Sequence, residues 1–327
     1  MLNYRPKMFD EAAGSHASKN IFKIIISFIL VFIVILILET IPPAIISWGA
    51  MKEEMARLSA DGFSGNEWEL SMKASQIVSM DPKIMVPTLF STIFGTLAAI
   101  FYCRCIELRP VRSMGARKKG IFGSYFLGLL IGAALMSVIV LLSSVTGASS
   151  TSACKNVNYF VIAMFFLGFV VQGMSEEFIF RGYLMTTIGG SGHHTALAVG
   201  ISSVGFALAH ATNPGFGLVP FINLTLFGAF AALYMILFDN IWGVSAIHSM
   251  WNFTQGNLYG ISVSGSGDTE SVFRTTAVSS KDYITGGEFG IEGSLFTTIA
   301  LGIGVAAVLA ALYKKSSAAS KAAQPQA

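Results

Sequence analysis

Long apolar runs separated by short polar punctuation make up most of this chain. Eight stretches approach the roughly 20 mostly apolar residues that a membrane helix needs. They lie near 21–47, 85–106, 121–146, 159–187, 195–212, 216–238, 241–259 and 293–313. The fifth is short and stops at Asn213-Pro214-Gly215. A turn there falls inside the protein, where helices or a cavity must satisfy its backbone. The pattern predicts an all-α fold: a polytopic membrane helix bundle of about eight transmembrane helices. Residues 1–20 read as a poorly ordered tail. Residues 21–120 hold the N-terminal transmembrane helices with an outer loop at 49–84. Residues 121–260 form the core, 261–292 a second outer loop, and 293–327 the last helix with a basic tail.

Within the first outer loop, residues 51–58 have helical spacing and a charged face, although a solvated loop is the simpler reading. The second is rich in Gly, Ser and Thr and reads as flexible. No internal repeat relates the two halves, which counts against a secondary transporter.

Composition agrees with a membrane protein. Of 327 residues 53% are hydrophobic and 12% charged, about half the charge of an ordinary globular domain. The net charge of +3 leaves no nucleic-acid footprint. Cys103, Cys105 and Cys154 form no disulfide framework, and Cys103 and Cys105 read as reduced packing residues. The apolar run from Ile21 is too long for a cleaved signal peptide and reads as a retained anchor.

Charge also sets orientation. Arg104, Arg109, Arg112, Arg117, Lys118 and Lys119 crowd the segment 104–119 against one acid, Glu107. Lys314, Lys315 and Lys321 follow the last helix, and the loops 49–84 and 260–292 are net acidic. The positive-inside rule then places both termini in the cytoplasm of a cell-membrane protein.

The chemistry begins at Ser175-Glu176-Glu177-Phe178-Ile179-Phe180-Arg181, which sets three formal charges in an apolar helix. Intramembrane charge costs several kcal/mol unless paired or used, on the order of 3 by insertion scales. Glu177 and Arg181 are four apart and can neutralise each other. Glu176 lies about 100° around the helix and shows no local cation. His210 closes the fifth stretch. His248 and Asn252 share one face of the seventh. Counted from the turns at the basic end, Glu176 lies about 18 Å deep, His210 about 24 Å, His248 about 12 Å and Asn252 about 18 Å. All four share one slab of membrane, within reach of the basic end.

A carboxylate and a histidine facing one point can hold a water and take its proton. A histidine and an amide can donate to an oxyanion. Alternatively, Glu176, His210 and His248 can form a zinc site with an open position. Each residue also has a structural reading: His210 as a helix–helix hydrogen bond, Glu177 with Arg181 as an ion pair, Asn223 as a pin on a neighbouring helix, and His193 and His194 as solvated turn residues.

The ordered set Glu176-Glu177-x-x-x-Arg181, Phe206-x-x-x-His210 and His248-x-x-x-Asn252 resembles the CPBP family. These are the CAAX proteases and bacteriocin-processing enzymes, also called Abi, which include the type II CAAX prenyl endopeptidases. The resemblance covers about 120–260 well and takes in the charged stretch Ile106 to Gly120. It implies an eight-helix intramembrane endopeptidase whose cavity opens to the cytoplasm. Glu176 and His210 would activate the water, His248 and Asn252 would stabilise the oxyanion, and Glu177 and Arg181 would support them. The family is often described as metalloprotease; a metal-free glutamate mechanism is the reading favoured here, with zinc as the alternative cofactor. The implied partners are the bilayer and a peptide or lipidated protein substrate. Two competing readings are a non-catalytic scaffold or bacteriocin-immunity protein that binds peptides in the same cavity, and a transporter using the polar residues as a pathway.

Overall fold

A computed structural model describes residues 4–322; residues 1–3 and 323–327, the outermost parts of the two expected tails, lie outside the described residues. Among those described, six helices are long and apolar enough to cross a membrane: Ile21–Ala60, Pro82–Ile106, Ile121–Val145, Tyr159–Gly190, Leu218–Phe238 and Leu295–Ala318. They make this a polytopic helical membrane protein. The fifth and seventh stretches are shorter than the expected eight-span pattern required. The fifth is a helix at Thr195–Leu208 that ends before the Asn213-Pro214-Gly215 turn. The seventh is α-helical only over Ile241–Phe253 and continues as a π-helical turn, Thr254–Leu258.

The elements are labelled in chain order: α1 Lys7–Ala12, α2 Ile21–Ala60, α3 Glu67–Ser79, α4 Pro82–Ser91, α5 Ile93–Phe101, α6 Ile121–Val145, α7 Tyr159–Glu177, α8 Thr186–Gly190, α9 Thr195–Leu208, α10 Leu218–Phe238, α11 Ile241–Phe253, α12 Asp282–Thr285 and α13 Leu295–Ala322. The strands are β1 Ser149–Ala153 and β2 Phe273–Ala277, paired antiparallel from Ser149↔Ala277 to Ala153↔Phe273.

α2 has 40 residues, about 60 Å at 1.5 Å per residue, twice the hydrocarbon thickness of about 30 Å. Its second half therefore stands beyond the bilayer, and α3 returns against it. The segment 49–84 is thus a helical hairpin rather than a solvated loop. A capping box starts α3: the Asn66 side chain accepts from Glu69 N, and the Glu69 carboxylate accepts from Asn66 N.

The N-terminal tail is also ordered, against expectation. Met8, Phe9 and Ala12 of α1 are buried and lie over Gly189 and Gly190 at the end of α8, where a Cβ would collide with Phe9 and Ala12. Asp239 Oδ1 accepts from Met8 N at 3.0 Å, and Glu11 pairs with Arg117 at 3.2 Å. These three buried apolar side chains, too few to show a helical period, hold it together with those polar contacts.

The segment 260–292 is folded as well. Its glycines make turns that ordinary residues resist: Gly265 (φ 82°) backs onto the Pro214 carbonyl, and Gly290 (φ 90°) onto that of Ser262. β2 ties the segment to the 147–158 turn through β1.

The most consequential contact is α11 wedged between α6 and α7. Small residues permit it. Gly128 and Gly132 of α6 lie against the Gly243 and Ile247 carbonyls, and Gly173 of α7 lies against Ser249. This is the small-residue approach by which membrane helices pack closely. A Cβ at Gly173 would sit 2.6 Å from Ser249 N. Gly173→Val should therefore destabilise the fold by about 1–3 kcal/mol, read as a lower Tm in detergent. Gly123→Ala, with open space around it, should leave Tm unchanged.

Candidate active site

α7 delivers Gln172 and, one turn later, the adjacent Glu176 and Glu177. At Phe178 the helix widens into a π-helical stretch, Phe178–Met185, a distortion frequent at functional sites. Residues 177–190 are all buried. From the basic end, Arg109 holds this stretch in place: its guanidinium donates to the hydroxyls of Thr186 (2.8 Å) and Thr187 (3.1 Å) while pairing with Glu107 at 2.5 Å. The conspicuous charges Glu107 and Arg109 are thus a buried structural clamp, 4% and 1% exposed, rather than solvated loop residues.

Glu177 and Arg181 are both 0% exposed and meet at 3.0 Å. Glu177 Oε1 also accepts from His248 Nδ1 at 2.8 Å. The Arg181 guanidinium lies 4.5 Å from the centroid of the Phe206 ring, a cation–π contact strengthened by the absence of water. The i,i+4 pair read from the sequence is therefore present, and it is joined by a histidine from α11.

With Nδ1 so engaged, His248 turns Nε2 toward Glu176, 3.7 Å from Oε2. Glu176 has a polar neighbour that the sequence reading overlooked. Gln172, one turn earlier on the same face, donates from Nε2 to Glu176 Oε1. Its carbonyl accepts from Asn252 Nδ2 at 2.8 Å. One amide thus connects the two candidate groups. The i−4 spacing was the available signal, since a glutamine inside a membrane helix needs a partner as much as a carboxylate does.

His210 stands across the cavity at the end of α9. Its Nδ1 is 2.9 Å from the Phe206 carbonyl oxygen, and its ring lies 4.9 Å from that of Phe206. Glu176, His210, His248 and Asn252 all line one cavity of about 160 Å³, together with Gln172 and Glu292. Among the described residues no three His, Cys, Asp or Glu side chains converge as a metal site. Glu176, His210 and His248 share a cavity without converging as a zinc ligand set.

Glu292 comes from the segment read as a flexible loop. It is 6% exposed. Its carboxylate accepts from Trp251 Nε1 (2.9 Å), Ser264 N (2.8 Å), Ser264 Oγ (2.8 Å) and Gln255 Nε2 (3.3 Å). Asn223 holds the adjoining backbone, donating to the carbonyls of Glu292 and Ser294, so it pins the start of α13 as expected. Glu39 is a further intramembrane carboxylate that the reading passed over. It lies on α2, and a Cβ at Gly95 would fall 2.5 Å from its Oε1 and 2.6 Å from Ser175 Oγ. His193 lies in the polar turn, bonded to the Lys19 carbonyl at 2.9 Å.

On the basic side of the site the run 177–190 is buried. Asn213, Val263, Ser264, Ser266 and Glu292 line the cavity from the other side.

A helical membrane bundle with carboxylate, imidazole and amide groups gathered on a buried cavity defines a class of intramembrane site suited to hydrolysis. Residues 158–254 match the model of the family described as type II CAAX prenyl endopeptidase Rce1-like. The match spans Glu176, Glu177, Arg181, His210, His248 and Asn252, and it bears out the CAAX protease resemblance for that segment. The family is one of CAAX-type intramembrane proteases, which are hydrolases. No curated protein and no solved structure matches the chain.

Removing Arg181 would leave Glu177 buried with only His248 as partner. Arg181→Ala should cost about 3–5 kcal/mol, the scale for breaking a buried ion pair, seen as reduced Tm and yield. Arg181→Lys should restore part of that loss. Equal stability of Arg181→Ala and wild type would show that the pair does not hold the fold.

Proposed function

We propose that this protein is an intramembrane endopeptidase acting on a membrane-associated or lipidated peptide, with Glu176 as general base. The observation that carries this reading is the common cavity of Glu176, His210, His248 and Asn252, within a segment that matches a CAAX protease family. A water between Glu176 and His210 attacks the scissile carbonyl carbon as its proton passes to the Glu176 carboxylate. His248, protonated on Nε2, and Asn252 donate to the carbonyl oxygen as it gains negative charge. Glu176 then returns the proton to the amide nitrogen, the C–N bond breaks, and a carboxylate and an amine leave. Glu177 and Arg181 hold His248 and the helix in position. Gln172 aligns Glu176 with Asn252.

A second reading, a non-catalytic peptide-binding scaffold or immunity protein, draws on one observation. One of the two N–H groups of Asn252 donates to Gln172 instead of to the open cavity. The two readings separate in a cleavage assay with purified protein. Glu176→Gln should keep Tm and expression while lowering turnover by about 10²-fold or more. Asn252→Ala should lower kcat by about 10²- to 10³-fold with little change in KM. Near wild-type turnover in both variants would remove Glu176 and Asn252 from the mechanism, and no cleavage by the wild-type protein would leave only the binding role.

The basic segment 104–119 favours a cytoplasmic position for that end of the bundle and for both termini. Native Cys154 tests this. It lies beyond β1 at the opposite end, half-buried and free of disulfide. With Cys103 and Cys105 replaced by Ser, Cys154 should react with a membrane-impermeant thiol reagent in intact cells. Reaction only after permeabilisation would invert the orientation.

A further inference from the structure

A second, larger cavity of about 1,150 Å³ adjoins the site. It lies between α2, α3 and α4 on one side and the 260–291 segment on the other. Leu89, Phe169 and Ser266 line both cavities, so these three residues stand between them. The volume exceeds the roughly 300–1,000 Å³ of small-molecule sites.

Its lining is suited to a main chain. Ser47, Thr88, Ser262 and Thr275 line it; each hydroxyl already has one partner within the protein and keeps acceptor capacity for another. Ser143 also lines it, 1% exposed and with no partner for its hydroxyl. An extended polypeptide leaving water needs partners for every N–H and C=O, and hydroxyls along the wall supply some of them. Every charged residue in the lining is acidic. Asp268 is paired with Arg274 at 2.8 Å, which leaves Asp282 and Glu288 as the charges that face an arriving chain. On the basic side, by contrast, the run 177–190 is buried.

We propose that this larger cavity is the substrate vestibule. An extended polypeptide segment with neutral or basic side chains enters it at the end of the bundle that carries 260–292, and passes Leu89, Phe169 and Ser266 to reach Glu176. The proposal rests on the peptidase reading for the cleavage step, but not for binding itself. With the orientation expected from charge, the vestibule faces away from the cytoplasm.

The test uses the full-length protein with its native cysteines replaced by Ser and a single Cys at Ser266, or at Gln76 on the vestibule wall as a second position. A protein keeping only Cys154 reports which side the 147–158 turn faces. In sealed vesicles of both orientations, a bulky impermeant maleimide should label Ser266→Cys and Gln76→Cys from the same side as Cys154. A fluorescent Lys-rich peptide should bind the Glu176→Gln protein. The bulky label at position 266 should weaken that binding at least tenfold, whereas a methyl-sized thiol label should not. Asp282→Asn with Glu288→Gln should weaken it severalfold and remove the preference over a Glu-rich peptide of equal length. Labelling from the side opposite Cys154, or peptide binding indifferent to the bulky label, overturns the vestibule. Binding with no cleavage of the same peptide by the Glu176-containing protein overturns the peptidase reading alone.

Discussion

The constraint on which the site depends is the cost of keeping Glu177 and Arg181 away from water inside a membrane bundle. A lone buried charge is heavily disfavoured, whereas a paired one with hydrogen bonds is tolerated. Glu177 meets this requirement by accepting from Arg181 and from His248 with one oxygen. Arg181 adds the face of Phe206. The pair therefore recruits α9 and α11 to α7, the same helices that carry His210, His248 and Asn252. Charge satisfaction and site assembly are one event.

Close approach of those helices depends on missing side chains. Gly128, Gly132 and Gly173 let α11 lie against the backbones of its neighbours, and only at that distance can His248 reach Glu177. The π-helical turn after Glu177 is held at its far end by Arg109, through Thr186 and Thr187. The charged stretch before α6 thus works as a brace. Its arginine donates into the core while Glu107 keeps that arginine neutralised.

Closure is uneven around the site. At the basic end, α1 lies on α8 through Phe9 and Ala12. At the other end Glu292 gathers four donors and fixes 262–266 beside the cavity. A carboxylate with four neutral donors and no cation is an exacting element: each donor must be in place for the buried charge to be tolerated. The same residue therefore roofs the small cavity and sets one rim of the larger one.

The sequence by itself determined the membrane bundle, the Glu177–Arg181 pair and the four residues that meet at one cavity. Each rests on a local rule: apolar length, i,i+4 spacing, or the cost of polarity in lipid. It did not determine how far each stretch runs as helix. Hydropathy counts apolar residues, whereas the breaks at Leu208 and Phe253 follow from how the chain turns over the cavity. Tertiary structure alone decided the roles of Glu292 and α1 and the link from Gln172 to Asn252, because those partners are distant in the chain or belong to segments without a period. Glycine- and serine-rich composition reads as flexibility, but 260–292 is ordered by side chains such as Glu292 and Gln255 that bond backbone and hydroxyl groups far along the chain, and no local pattern records those contacts.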